Sequence, residues 1–414
     1  MMAKTQSAFV CVVVSVLLVA MTAGPVLAED LVDPRIGEPV PLGEEESVYV
    51  VLDSSPSGSL QHAIHYPQAS FIKVHFLETD LAQGDRITVE SLDGKYSYIY
   101  PGSSFTTDGG EGFWALTVFG HTAVVSLHRA GPTGAESRVV IDRFIRGYAE
   151  WEMPGAVGTD STCGNLDRAD VACWQATHPT EFNTAHAVAL HVKNGAGNCT
   201  SWRVGTGPHM MSNEHCITSQ AELDVSEFWF NYQRPDCGSG SPGPVTVVAG
   251  DTFLIDDYGL DFALFTIENP ASVSSFGHLE LDPRTPVLNE EIYIPQHGGA
   301  QPKQFGIDSD VDPGGVCQIQ DEIRDGRQPG SDTGYYCDTT GGSSGSPVIA
   351  RSTNRVIGLH HWGTGSSTCT GVGSIMNGGV RIELIYPLIE TYLAELFSDD
   401  FETGNFGAWS AVQP

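Results

Sequence analysis

Positive charge is what this sequence has least of: 20 Lys and Arg stand against 51 Asp and Glu in 414 residues, a formal charge of -31. A chain so short of cations has no electrostatic grip on a phosphate backbone, which excludes nucleic acid as a partner. Long apolar runs are equally scarce. Beyond one N-terminal stretch from Phe9 to about Met21, none could span a bilayer, so no membrane partner is expected. Cysteine is missing from residues 29 to 162, and no Cys-x-x-Cys pair occurs, which speaks against a zinc site. The 47 Gly and 24 Pro lack any period. They punctuate many short segments, as an all-β protein with many turns requires, and exclude collagen-like and coiled-coil architectures.

What is present divides the chain into four parts. Residues 1–28 carry Lys4, the apolar run and a Val26-Leu27-Ala28 end. This reads as a secretory signal peptide cleaved after Ala28, and hence as a secreted, extracellular protein. Cleavage removes Cys11 and leaves eight cysteines, Cys163, Cys173, Cys199, Cys216, Cys237, Cys317, Cys337 and Cys369. An even number in an oxidising compartment implies disulfides. Residues 29–154 show strands at Ser47–Leu52, Phe71–Leu77, Ile87–Leu92, Phe113–Phe119 and Ala123–His128, with turn signals at Asp93-Gly94 and Gly109-Gly110. Ile72, Val74 and Phe76 alternate as one face of a half-buried strand. The expected unit is a small β-sandwich, a pro-region or accessory domain, whose His62, His65, His75, His121 and His128 lie at no ligand spacing.

Residues 155–398 again read as short strands, at Ala187–Val192, Val245–Val248, Phe262–Ile267, Glu291–Ile294, Pro347–Ile349 and Arg355–His360. They close with a helix whose Ile385, Leu388, Ile389, Tyr392, Leu393 and Leu396 recur at three-and-four spacing, Pro387 standing near its first turn. An acidic tail, 399–414, ends the chain.

The chemistry concentrates in Gly341-Gly342-Ser343-Ser344-Gly345-Ser346-Pro347. A nucleophilic serine needs an exposed hydroxyl at a tight turn where backbone N–H groups face one point, and flanking glycines permit that approach. Ser344 meets the description. It requires a general base and a carboxylate that fixes the base's tautomer, and His215 and Asp261 fit these roles. Asp256 and Asp257 are rivals for the carboxylate, but neither begins an apolar strand.

These contexts resemble the chymotrypsin-like serine peptidases, in the secreted bacterial branch that includes glutamyl and lysyl endopeptidases. His215-Cys216 after Met210-Met211-Ser212 is similar to the family's loop bearing the base next to a disulfide cysteine, and Asp261-Phe262-Ala263-Leu264-Phe265 to its carboxylate before an apolar strand. Gly342-Ser343-Ser344-Gly345-Ser346-Pro347 resembles the nucleophile motif. The resemblance implies a two-barrel fold over 155–398 and a triad of His215, Asp261 and Ser344. It also implies an oxyanion hole from the Gly342 and Ser344 amides and hydrolysis of protein or peptide substrates by a monomer without a cofactor. It further suggests disulfides Cys163–Cys369, Cys173–Cys237 and Cys199–Cys216, with Cys317 and Cys337 left over. Ser343 replaces the family's Asp, so activation by an ion pair to a freed N-terminus is in doubt; processing would fall within 155–161. Glu214, beside the base, is expected to point to solvent.

Specificity stays open between two readings. Asp338, six residues before Ser344, has the spacing of a carboxylate that reads Arg or Lys at P1. Thr339 or Thr340 with His360 or His361, beside Trp362, would instead suit an acidic P1. Residues 370–381 hold no Asp or Glu, so the lysyl route is absent. Asp308, Asp310 and Asp312 alternate as a candidate calcium site, although Pro313 stands where a turn glycine is needed. Asn198-Cys199-Thr200 is a glycosylation sequon. The rival function is a catalytically inactive, protease-like binding or adhesion protein.

Overall fold

A computed structural model of the chain describes residues 38–55, 58–102, 112–131, 136–153, 162–363 and 376–394. The signal segment, the Gly109-Gly110 turn, the 155–161 segment, Cys369 and the acidic tail lie outside the described residues. No helix among the described residues is long and apolar enough to cross a membrane.

The architecture is all-β. Gly43–Asp53, Arg138–Gly147 and Phe71–Asp80 pair in that order, with short Phe113–Trp114 and Val118–Phe119 strands added to the last. Gln61–His65, Thr122–His128, Arg86–Ser91 and Ser97–Pro101 form the facing sheet. The two sheets enclose Ile72, Val74, Phe76, Val89, Val125 and Ile141, the expected sandwich. The single strand expected over Phe113–Phe119 is two short ones.

Phe71 to Phe76 departs from the expected alternation, because all six residues are buried. Ile72, Val74 and Phe76 fill the sandwich, while Phe71 turns outward into a second cluster with Leu190, Val192 and Trp229 of the neighbouring barrel. On that outward face Lys73 Nζ meets Glu227 Oε2 at 2.9 Å, with side-chain exposures of 4% and 1%. Glu227 also accepts from the Thr117 amide at 3.1 Å, the Thr117 hydroxyl at 2.5 Å and Trp229 Nε1 at 2.9 Å. A lysine in the middle of an apolar run therefore marks a docking face. Val40–Pro41 adds a further seam by pairing with Ala196 and Gly197. The described residues fall within one compact unit, Pro34–Pro414.

The first barrel runs through Ala196–Arg203, Val188–Lys193, Ser226–Phe230, Thr246–Asp257, Phe262–Ile267 and His209–Ser212, and closes where Trp202 and Arg203 pair with Met211 and Met210. The second curls through Ile292–Gln296, Pro347–Ala350, Arg355–Trp362, Asn377–Arg381, Asp332–Tyr335 and Ile319–Arg324. Its far edge returns to the first strand through the Ile292 N–H to Cys317 carbonyl bond at 3.0 Å and the Ile319 N–H to Glu290 carbonyl bond at 3.0 Å. Phe262–Ile267 is buried throughout because it is apolar on both faces. Phe265 and Ile267 fill the first barrel, whereas Phe262 and Leu264 join a cluster shared with Tyr293, Ile349, Leu359 and Val380 of the second.

The C-terminal helix, Ile382–Ala394, lays Ile382, Ile385 and Ile389 on this shared cluster. Pro387 lies in its interior rather than its first turn, and Leu388 is 40% exposed. The apolar stripe is therefore narrower than the spacing suggested.

Removing one partner of the buried Lys73–Glu227 pair strands a charge, which costs about 3–5 kcal/mol. Lys73→Met is expected to lower the unfolding free energy by about that much in urea titration, with sandwich and barrels melting in one transition, and Lys73→Met with Glu227→Gln to regain part of it. Two separate transitions would show that the sandwich folds on its own.

Candidate active site

The barrels meet at a seam, and the candidate residues line it from both sides. His215 sits on a short turn, Glu214–Cys216, after the His209–Ser212 strand, tethered by the Cys199–Cys216 disulfide. Asp261 ends the turn before Phe262–Ile267 in a left-handed conformation, φ 44°, which Asp tolerates better than most residues. Its carbonyl accepts from Asn213 Nδ2 at 2.8 Å, tying the two turns together. His215 Nδ1 lies 2.9 Å from Asp261 Oδ2 and 3.1 Å from Oδ1, and the His215 amide donates to Oδ1 at 3.1 Å. His215 Nε2 makes no hydrogen bond among the described residues. With Nδ1–H donating to a carboxylate, Nε2 carries the lone pair a general base needs. Asp257 instead accepts from the Leu260 amide at 2.7 Å and shapes the turn.

Ser344 comes from the second barrel, in a turn pinned across the seam by Thr200. The Thr200 amide donates to the Ser344 carbonyl at 2.8 Å and its hydroxyl to the Gly342 carbonyl at 2.9 Å. Trp202 Nε1 donates to the Gly345 carbonyl at 3.0 Å. Gly345, at φ +86°, cannot be replaced freely: a Cβ there would lie 2.1 Å from the Thr200 carbonyl oxygen and 2.4 Å from Ser212 Oγ. Gly342 also has a positive φ, +92°. Neither the Gly342 nor the Ser344 amide donates to another described residue, so two donors stand unused beside the serine.

Ser343 supplies what an ion pair would otherwise provide. Its hydroxyl donates to Gln296 Oε1 at 2.5 Å and accepts from the Thr340 amide at 3.0 Å. Gln296 Nε2 in turn donates to the Asp338 carbonyl at 2.8 Å. The turn is thus fixed by neutral hydrogen bonds within the barrel. Sequence reasoning missed Gln296, which lies 47 residues before Ser343 and has no local signature.

Several expectations are corrected. The Asp338 carboxylate, 2% exposed, is capped by the Cys163 amide at 2.8 Å on Oδ1 and the Asp167 amide at 2.7 Å on Oδ2. It braces the 163–167 segment rather than facing a basic side chain, and burial pushes its pKa up to about 6 against those two amides. Glu214 does not point to solvent but pairs with Arg327 Nη1 at 2.7 Å. His361 has both ring nitrogens engaged by carboxylates. Its Nδ1 lies 2.9 Å from Asp261 Oδ2 and its Nε2 2.7 Å from Asp332 Oδ2, with Trp362 stacked on the ring at 4.2 Å.

His360 is buried with Nδ1 2.7 Å from the Tyr335 hydroxyl, and burial, with the neighbouring His361 and His215, pushes its pKa down to about 3. Thr339 and Thr340 keep buried hydroxyls with no hydrogen-bond partner among the described residues.

Burial alone would raise the Asp261 carboxyl, but His215 and His361 outweigh it and hold it well below the usual carboxylate range. Arg327 Nη1 adds a permanent cation 3.2 Å from Oδ1.

Cys173 pairs with Cys237 and Cys199 with Cys216, as expected. Cys163 is disulfide-bonded, and its expected partner Cys369 lies outside the described residues. Cys317 and Cys337, counted among the disulfide cysteines from sequence, are instead free, buried thiols. Two of the three carboxylates of the candidate calcium site are engaged by protein donors: Asp310 by Asn165, and Asp312 by the Gln318 amide and Gln320 Nε2. Among the described residues, metal-ligand atoms gather only at Cys199, His215 and Cys216; a disulfide removes both thiolates.

Residues 197–359 match a family model described as the trypsin-like peptidase domain. A protein of Plasmopara viticola named secreted RxLR effector protein 73 is 28% identical over 326 residues, covering 75% of this chain and 79% of its own length. A solved structure titled as Glu endopeptidase in complex with MPD is 15% identical at a TM-score of 0.38, covering 56% of this chain and 98% of that one. The segment matched by the family model contains His215, Asp261 and Ser344 in that order, and it is this part of the chain that is similar to the trypsin-like peptidases.

Proposed function

We propose that this protein is a secreted serine endopeptidase that cleaves peptide bonds after acidic residues. The observation that carries the reading is the His215–Asp261 pair, at 2.9 Å, set at the same seam as a glycine-flanked serine turn with two undonated amides. In the first step His215 Nε2 takes the Ser344 hydroxyl proton as Oγ attacks the scissile carbonyl, and the oxyanion forms against the Gly342 and Ser344 amides. Each such donor contributes ~10²- to 10³-fold in rate. His215 then gives the proton to the leaving amine, and water repeats the sequence on the acyl-enzyme.

The acidic preference rests on which groups are free to read a P1 side chain. Both Asp338 oxygens are occupied by backbone amides, so the basic reading loses its carboxylate. The Thr339 hydroxyl, without a hydrogen-bond partner among the described residues, and the His360 imidazole are suited to a carboxylate, whose arrival would draw a proton onto His360. Activity does not wait for a new N-terminus, because Ser343 and Gln296 hold the turn without one. The sandwich is on this reading a retained accessory domain, joined to the first barrel through Lys73–Glu227. Export is supported by the signal-like N-terminus and by the relative named as a secreted effector.

The purified chain and its Ser344→Ala variant, incubated with an unbiased peptide mixture, are expected to differ by cuts after Glu and Asp that the variant lacks. Cuts after Arg or Lys would overturn the P1 assignment. No cutting, with no fluorophosphonate adduct at Ser344, would leave a protease-like binding protein.

Within the pocket, Thr339→Val is expected to reduce kcat/KM on Glu substrates by at least about tenfold, since the lost hydroxyl leaves a buried charge underpartnered. Asp338→Asn should leave the P1 preference unchanged, and a switch in preference would return Asp338 to the pocket.

A further inference from the structure

Asp261 is held from two sides. The first barrel supplies His215; the second supplies His361, on the Arg355–Trp362 strand, and behind it Asp332, on Asp332–Tyr335. These two strands are not neighbours, since Asn377–Arg381 pairs with both. His361 reaches across that strand, 2.9 Å from Asp261 Oδ2 at one nitrogen and 2.7 Å from Asp332 Oδ2 at the other, and both partners are at most 1% exposed. Asp332 Oδ1 accepts from the Ser331 hydroxyl at 2.7 Å, which fixes the carboxylate at the end of the chain.

A carboxylate only accepts, so an imidazole between two carboxylates must donate from both nitrogens and is an imidazolium. Asp261 then takes three donors on two oxygens, His215 Nδ1 and His361 Nδ1 on Oδ2 and the His215 amide on Oδ1, and the Arg327 guanidinium, whose Nη1 donates to Glu214 and the Tyr258 carbonyl, lies as an ion pair 3.2 Å from Oδ1. Both oxygens are engaged, from opposite barrels, and this fixes the plane of the carboxylate. The orientation of His215 follows from that plane, because its Nδ1–H has no other acceptor among the described residues.

We infer that His361 and Asp332 are positioning residues of this site, holding the Asp261 carboxylate from the second barrel and thereby fixing the Nδ1–H tautomer and ring orientation of His215. The inference rests on the peptidase reading above and names the residues that make its base effective. Neither residue touches substrate; both act through Asp261.

The charged and titratable groups around the chain are Asp261, His215 and Glu214 from the first barrel, and Asp332, His360 and Arg327 from the second. The His361 cation offsets part of the Asp261 charge that would otherwise stabilise protonated His215. Asp332→Asn keeps the shape but lets His361 go neutral. The proton on His215 then becomes more favourable, and the acid limb of kcat/KM moves to higher pH.

The test reads His215 first and activity second. In histidine-labelled protein, with Ser344→Ala as background, the Nδ1–H proton of His215 is expected as a far-downfield resonance, and His361 as doubly protonated at neutral pH. Asp332→Asn should broaden or shift the His215 resonance and remove one His361 proton. His361→Ala should do so more strongly, and where it fails to fold, Asp332→Asn carries the test. An unchanged His215 resonance in the folded variants would overturn the inference, whether or not the protein cleaves anything.

In active protein, kcat per fluorophosphonate-titrated site is expected to fall by about tenfold or more with KM unchanged, alongside the shifted acid limb. Loss of titratable sites alone, with kcat per site and acid limb unchanged, would mean a purely structural cross-link and would also overturn it. A wild-type chain that fails to react with the fluorophosphonate while His215 responds to Asp332→Asn would sink the peptidase reading and leave the positioning intact.

Discussion

A fully buried carboxylate at the junction of two barrels organises this molecule. Asp261 is 0% exposed, and an ionised group there costs several kcal/mol in lost hydration unless donors replace water. Two hydrogen-bonding histidines and one guanidinium ion pair take that place, from three directions. His215 arrives on its disulfide-tethered turn, Arg327 from the loop before Asp332–Tyr335, and His361 from Arg355–Trp362, the second strand after the nucleophile turn. Each donor fixes the segment that bears it, so meeting the demands of one charge also sets the spacing between His215 and the elements around Ser344. The two barrels are held in register by an apolar cluster they share, but that cluster is non-directional. The polar seam supplies the direction.

The parts of the site legible in the sequence are those with local context. Ser344 stands between glycines that a turn needs; His215 precedes a cysteine; Asp261 opens an apolar strand. Each can be recognised within a window of about six residues, the scale on which turn and strand preferences act. His361 and Asp332 have no such window. They meet because sheet register places residues 29 apart on either side of an intervening strand, and register is a property of the folded barrel. Asp338 shows the converse: its spacing to Ser344 suits a pocket carboxylate, yet the direction of its side chain was decided by the amides of Cys163 and Asp167, more than 170 residues earlier in the chain.

The sandwich offers the same lesson in the fold. Phe71 to Phe76 alternates apolar and polar residues, which normally marks one face as solvated. Lys73 and His75 occupy that second face, and both are buried, because the face is covered: Lys73 by Glu227, His75 by Asp142 at 2.5 Å and by the Trp114 ring. A polar residue in a strand signals a polar environment, and a partner's carboxylate is one. From one segment alone the two environments look alike. Pro387 within the helix was misplaced for a related reason: Ile382 packs on the shared cluster and draws the helix start five residues ahead of the proline.

The shortage of cations reaches the site itself. With 51 acids against 20 Lys and Arg, buried carboxylates compete for few permanent charges, and Arg327 already divides its Nη1 between Asp261 and Glu214. A histidine fills the remaining place. Burial opposes its charge, but the hydrogen bonds to Asp261 and Asp332 outweigh burial and raise its pKa. A cation made this way differs from an arginine in one respect: it can be lost. Because the folded pKa of His361 lies above its unfolded value, the stability it contributes is complete below about pH 6.5 and disappears as pH rises through the folded value. Above that point Asp261 keeps His215 and the Arg327 ion pair but gives up a charged donor. Arginine in place of His361 would hold the carboxylate at every pH, but its fork could not fit between two carboxylates that an imidazole spans with one nitrogen each.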